Sequence, residues 1–172
     1  MKSVDIIYRY ETGDKPARPR PLDSDAALDR LNDGNRAFAA LLQNPSDQHV
    51  ERVISVDSRD LGLGDATLPK QRPFAAILGC SDARVPVELI FNEGPNDLFV
   101  IRIAGNGLGT EILGSLKYAV DNLRGSLKLI VVLGHSGCGA LTTAVDVFLN
   151  PTNYLPLLRC IRFDVLWMAF LL

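Results

Sequence analysis

Two short stretches hold the residue types best suited to chemistry. "GCSDARVPVE" at 79–88 sets Cys80, Asp82 and Arg84 at alternate positions, and "GHSGCGAL" at 134–141 sets His135 three residues before Cys138. Zn²⁺ accepts thiolate sulfur and imidazole nitrogen in tetrahedral geometry, and a catalytic zinc keeps three protein ligands and one exchangeable position. His135 and Cys138 have the spacing with which one loop or helix start presents two ligands to one ion, and Cys80 would complete the set from a distant point of the chain. Gly134, Gly137 and Gly139 suit a ligand loop that needs unusual backbone angles and close approach. Each motif alone is weak, since a buried cysteine is commonly a small hydrophobe and H-x-x-C arises by chance. The metal reading therefore depends on their meeting in space. A Cys80–Cys138 redox pair lacks the C-x-x-C spacing and leaves His135 unexplained. Asp82 would either take the metal's fourth position or be held off it by a bidentate Arg84, with an ordinary loop ion pair as the plain alternative.

The elements that must position these residues are legible as runs and periods. "FAAILG" at 74–79, "LFVIRIA" at 98–104 and "LKLIVVLG" at 127–134 are nearly continuous apolar runs, which predicts strands buried on both faces. Between the second and third, Ile112, Leu113, Leu116, Ala119, Val120 and Leu123 form a helical stripe that Thr110 is placed to cap. Strand, helix and strand at this spacing imply a right-handed parallel crossover. The expected fold class is α/β, with a central, mainly parallel sheet flanked by helices. Ligands of such sheets gather at the carboxyl ends of the strands, where Cys80, Asn106, His135 and Cys138 all fall. Upstream, Leu28, Leu31, Phe38, Leu41 and Leu42 predict a helical arm over 25–43, with Ser24 as N-cap candidate and Gly34 as an interruption. Residues 1–23 read as an extended, proline-bearing lead-in, and the segment from 44 to Pro69 as loop with a little helix.

With 172 residues, 47% of them hydrophobic, the chain suits one globular domain. Its 18 basic residues nearly balance 20 acidic ones without a basic run, which argues against nucleic acid as a partner. No stretch reaches the roughly 18–20 apolar residues of a membrane span, and the N-terminus lacks a signal-like apolar core, so a cytoplasmic setting is expected. Three cysteines, at 80, 138 and 160, are odd in number for a disulfide framework, and Cys160 joins no pattern.

These residues, as they stand, resemble the β-class carbonic anhydrases. "CSDAR" matches that family's C-x-D-x-R, "GHSGCGAL" its H-x-x-C, "FVIRIAGN" its second-strand segment and "LNDGNRAFA" the N-terminal helix that packs on a partner subunit. The resemblance runs from about Leu28 to about Pro156. It implies reversible hydration of CO₂ to bicarbonate and a proton on a zinc held by Cys80, His135 and Cys138, in a homodimer or higher even oligomer. Zinc would acidify a water; because two thiolates nearly neutralise the metal's charge, help from Asp82 as proton acceptor is chemically reasonable, with Arg84 keeping Asp82 ionised. Gln71, nine residues before Cys80, stands where the family has a substrate-orienting glutamine. Asn106 and Gly137 join it as substrate-binding candidates, with Val85 and Phe91 as apolar walls.

The resemblance stops near residue 157. "LRCIRFDVLWMAFLL" at 158–172 is an atypical apolar tail, so the zinc domain is assigned to 24–157 and the C-terminal part of the family fold is expected to be missing. Two other functions stand beside the leading one: an idle zinc-binding remnant or interaction protein, and a hydrolase of a related small molecule on the same scaffold. The set Asp82, Arg84 and Gln71 favours the enzyme, because a purely structural zinc site has no use for it.

Overall fold

The structure, a computed structural model, describes residues 3–11, 18–43, 49–58, 61 and 68–154. Cys160 and the tail at 158–172 lie outside the described residues, as does part of the lead-in. In chain order the elements are β1 (Val4–Glu11), α1 (Ser24–Gln43), β2 (Val50–Asp57), β3 (Ala75–Gly79), α2 (Val87–Ile90), β4 (Leu98–Arg102), α3 (Thr110–Asn122), β5 (Leu129–Leu133) and α4 (Gly139–Leu149). Single 3₁₀ turns follow β4 at Ala104–Asn106 and α4 at Pro151–Tyr154. The α/β expectation holds, with parallel pairing throughout and helices against the sheet.

β3 is the central strand of a three-stranded sheet in the order β4-β3-β5. All five of its residues are buried, and they divide by the two-residue period of a strand. Ala75 and Ile77 face Ala27 and Leu31 of α1 together with Val87 and Phe91, whereas Ala76 and Leu78 face Ala119, Leu123 and Ile112 on and just after α3. Helices thus cover β3 on both sides, which explains its unbroken apolar run. β5 departs from expectation. Its burial alternates, with Ile130 46% and Val132 66% exposed, because among the described residues it is an edge strand and only its Leu129, Val131 and Leu133 face packs on the core.

A second, two-stranded sheet lies where loop was expected. β1 pairs with β2 in parallel over eight residues, from Val4 opposite Val50 to Glu11 opposite Asp57. Ile54 and Val56 supply the buried, alternating face of β2. β1 itself is mostly exposed, so backbone pairing rather than apolar burial holds it.

The helix boundaries also correct two expectations. Asp23, not Ser24, caps α1: its Oδ1 accepts the Ala26 N–H at 2.8 Å and its carbonyl the Ala27 N–H at 3.1 Å. Gly109 is the N-cap of α3, with extended φ/ψ of −107° and 174°, and Thr110 is the first helical residue. Gly34 does not interrupt α1 but lets it approach α2. A Cβ there would lie 2.6 Å from the Phe91 carbonyl carbon and collide with its oxygen. Alanine normally favours a helix over glycine by about 1 kcal/mol. Here the sign reverses: Gly34→Ala should lower the unfolding free energy by about 1–3 kcal/mol in urea titrations, because the helix must back away.

A buried charge cluster ties the N-terminal elements to the sheet. Glu93, fully buried, accepts from Arg30 Nε at 2.9 Å and pairs with Arg18 Nη1 at 2.9 Å, while Arg30 also meets Asp97 Oδ1 at 3.2 Å. The Arg30 guanidinium lies 4.6 Å from the centre of the Phe74 ring, so its charge is packed as well as paired.

Candidate metal centre

Strand register brings the distant motifs together. Gly79, the last residue of β3, lies opposite Arg102 of β4 and Leu133 of β5. Cys80 and Gly134 therefore leave the sheet at the same height, with His135 one residue further on. The ladder continues past the strand, as Ile103 N–H donates to Gly79 O at 3.1 Å and Ser81 N–H to Ile103 O at 3.2 Å. After His135 the chain turns through Gly137, whose φ of +62° is left-handed and suits glycine, and delivers Cys138 as the N-cap of α4. Cys138 thus stands at the positive, amino-terminal end of that eleven-residue helix.

The three side chains converge. One ligand atom from each of Cys80, His135 and Cys138 lies within 4.8 Å of the others, and the two sulfurs are 3.9 Å apart. Both thiols are free and buried. Among the described residues this is the one cluster of three or more such groups able to hold a metal ion.

Two details show a site shaped for a cation. His135 Nδ1 lies 3.1 Å from the Ser136 carbonyl, which can only accept, so the proton belongs on Nδ1 and the lone pair on Nε2. Nε2 is buried without a hydrogen-bond partner. An orphaned imidazole nitrogen beside two sulfurs is the donor set that zinc takes. Burial raises the Cys80 thiol, but the neighbouring His135 imidazole, the N–H groups of Gly105 and Asp82, and Cys138 outweigh it and bring its pKa down from 9.0 to about 7. The Gly105 N–H is 3.3 Å from the sulfur. Because the thiolate is the ligand, a proton competes with the metal below that value. Zinc uptake by metal-free protein, followed by chelator competition, should weaken as pH falls below about 7.

Asp82 and Arg84 form the second part of the site. Arg84 Nε donates to Asp82 Oδ1 at 3.0 Å and Nη2 to Oδ2 at 2.7 Å, and the Arg84 backbone N–H adds a bond to Oδ1 at 2.9 Å. The side-chain and backbone hydrogen bonds from Arg84 hold the Asp82 carboxyl far below the usual carboxylate range. Arg84 Nη2 also reaches the Gly137 carbonyl at 3.0 Å, which ties the pair to the His135–Cys138 loop. Asp82 Oδ2 lies 3.9 Å from His135 Nε2, at the mouth of the cluster.

The other candidates are placed less uniformly. Asn106, at a φ of +57°, donates from Nδ2 to Leu133 O at 2.9 Å and so links the ends of β4 and β5, while its Oδ1 is buried without a partner. Gly137 meets Arg84 through its carbonyl. Phe91 is no wall of the site: it packs with Ala27, Leu31 and Val87 in the core beneath α1. Val85 is buried, and its N–H bonds to Asp82 O at 3.0 Å. Gln71 is not brought to the cluster. It precedes the amino end of β3 while Cys80 follows the carboxyl end, and the chain advances roughly 20 Å from Phe74 to Cys80 at ~3.3 Å per strand residue. Asn96 holds both neighbours of Gln71, from Nδ2 to Lys70 O at 2.8 Å and from the Arg72 N–H to Oδ1 at 2.9 Å, and so presents an exposed Gln71 at that far end.

A protein-family model described as carbonic anhydrase matches residues 75–160, half of the chain. The chain belongs to the β-class carbonic anhydrases. Carbonic anhydrase 2 of Mycobacterium tuberculosis is 44% identical over 121 residues, covering 70% of this chain and 52% of that protein. The carbonic anhydrase of Mycolicibacterium smegmatis is 40% identical over 121 residues with the same coverage of each chain. A crystal structure of two tetrameric β-carbonic anhydrases from Sordaria macrospora gives a TM-score of 0.43 at 27% identity, covering 80% of this chain and 68% of that one. The chain spans about half the length of these two mycobacterial carbonic anhydrases. The family's C-x-D-x-R and H-x-x-C residues are the ones that the β3 and β5 ends bring together. No helix among the described residues is long and apolar enough to cross a membrane.

Proposed function

We propose that this chain catalyses the reversible hydration of carbon dioxide to bicarbonate and a proton, with zinc held by Cys80, His135 and Cys138. Family membership supports the reading, and one observation carries it: a Cys-His-Cys cluster within 4.8 Å stands directly beside a carboxylate locked to an arginine. Zinc in that donor set supplies Lewis acidity that makes a water acidic enough to yield hydroxide near neutral pH.

The remaining work falls to the chain. Arg84 keeps Asp82 ionised across the physiological range, so Oδ2 is available as the acceptor of the proton that hydration releases. The tie from Arg84 to Gly137 O holds that acceptor in register with the ligand loop. Ser136 O fixes the imidazole tautomer, so the ring cannot itself take the proton at Nδ1. Asn106 Oδ1 and the Gly137 backbone are the polar groups we assign to product or substrate oxygens, and Val85 the apolar contact. Gln71 cannot reach the cluster of its own chain, so its substrate-orienting role requires a second copy that lends its Gln71. A homodimer or higher even oligomer is the corresponding assembly. Two thiol ligands that must stay reduced to hold the metal support a reducing, cytoplasmic setting for this activity.

Stopped-flow CO₂ hydration on zinc-loaded protein, with zinc measured on the same sample, tests the proposal. Zinc-dependent hydration is the expected result. Protein that holds one zinc per chain and hydrates nothing would make the site a structural one.

A further inference from the structure

Strand β4 contains one charged residue, Arg102, at its last position in the run "LFVIR". Its guanidinium does not reach for a carboxylate: among the described residues it has no ion pair. Instead Nε donates to Cys80 O at 3.0 Å and Nη2 to Asp82 O at 2.7 Å. Both acceptors are main-chain carbonyls of residues in the metal site, on the loop just beyond the end of β3. Arginine alone among side chains carries two donors in a rigid fork of this span, so one residue clamps two carbonyls that sit two positions apart.

The clamp acts where the ladder gives out. Main-chain pairing between β3 and β4 stops at Ser81 and Ile103. Beyond it the Cys80–Arg84 loop is held by a short turn, Val85 N–H to Asp82 O at 3.0 Å, and by side chains. Asp82 is held at two points, its carboxylate by Arg84 and its carbonyl by Arg102. Cys80 likewise has its sulfur met by Gly105 N–H and its carbonyl by Arg102. Arg102 thus touches both the thiolate residue and the acid residue, and it touches neither through the atom that does chemistry.

We infer that Arg102 is a positioning residue for the metal centre: its fork onto the Cys80 and Asp82 carbonyls fixes where the Cys80 sulfur and the Asp82 carboxylate stand relative to His135 and Cys138. The inference rests on the metal-site reading above but not on the CO₂ reaction. Residues that orient metal ligands from behind typically cost about 10–100-fold in metal affinity or activity when replaced.

The test uses the full chain, with Arg102→Gln and Arg102→Lys beside the parent and Arg124→Gln as a surface control. Zn²⁺ affinity is measured by competition with a chromophoric chelator, and Co²⁺-substituted protein is examined by its d–d absorption, which reports ligand geometry. Arg102→Gln should lose about 10–100-fold in zinc affinity and shift the cobalt bands. Arg102→Lys, with its charge but no fork, should fall between, and the unfolding midpoint of metal-free protein should stay near the parent's because Arg102 is exposed. Added methylguanidinium should restore part of the affinity of Arg102→Ala, which covers the case in which the glutamine variant folds poorly. Parental affinity and cobalt spectrum in both Arg102→Gln and Arg102→Lys would overturn the inference. A fall in metal-free stability as large as the loss of zinc, with no rescue, would overturn it too. A parent that binds zinc but does not hydrate CO₂ contradicts the proposed activity and leaves the Arg102 comparison intact.

Discussion

Cys80→Ser is expected to purify with almost no zinc, its affinity reduced by more than about 100-fold, and with no measurable CO₂ hydration. Serine keeps the size of the side chain and its place at the end of β3, so the fold should survive. The chemistry does not survive. Cys80 is poised as a thiolate, with its pKa brought down to about 7 by His135, two backbone N–H groups and Cys138 against the upward push of burial. A serine hydroxyl stays protonated in the same surroundings and offers the metal a neutral, weakly binding oxygen. Metal analysis and chelator competition read the first effect, stopped-flow assay the second. Wild-type zinc content in Cys80→Ser would mean that the cluster is not the metal site.

Asp82→Asn should behave in the opposite way. Zinc content should remain near one per chain, because Asp82 is not among the three converging ligands, while the hydration rate falls by roughly 10²–10⁴-fold, the usual contribution of a positioned acid–base group. The amide is nearly isosteric and can still accept from Arg84 through Oδ1, so the loop geometry should hold. Its nitrogen, however, cannot take a proton, and the charge that Arg84 was matched to is gone. Since Arg84 holds the Asp82 carboxyl far below its ordinary range, the parent's rate should show no inflection between pH 5 and 9 that belongs to Asp82. Unchanged stopped-flow rates in Asp82→Asn would falsify its role as proton acceptor.

The residues behind this contrast are legible in the sequence itself. Cys80, His135 and Cys138 were legible because few residue types bind zinc and a parallel sheet gathers strand ends. Register did the rest, setting Gly79 opposite Leu133. Asp82 and Arg84 were legible as alternate residues of one loop. Gln71 shows what spacing alone does not settle: nine positions look close, yet β3 lies between Gln71 and Cys80 and puts them at opposite ends of the sheet, so the role proposed for Gln71 falls to a second copy. Phe91 fills the core under α1, and an apolar residue near a site looks the same in sequence whether it lines a cavity or packs in a core.

The fold shows the same division. β3 announced itself because helices cover both faces, so nothing polar interrupts it. β5 carried an equally apolar run but lies at the sheet edge with Val132 66% exposed, and position within a sheet leaves no mark on composition. β1 gives no sign of its pairing in the sequence, since Val4, Ile7, Tyr8 and Tyr10 are all at least 37% exposed and its partner β2 lies 46 residues away in register. Backbone pairing of that kind has no hydrophobic signature. Arg102 did have a signal, a lone cation inside an apolar strand, but its meaning depends on which carbonyls lie within its reach.

Zinc K-edge X-ray absorption on purified protein tests the central claim most directly. Two sulfur scatterers at ~2.3 Å and lighter nitrogen or oxygen scatterers at ~2.0–2.1 Å, with one zinc per chain, are predicted. Absence of zinc from folded protein, or a shell without sulfur, would contradict it.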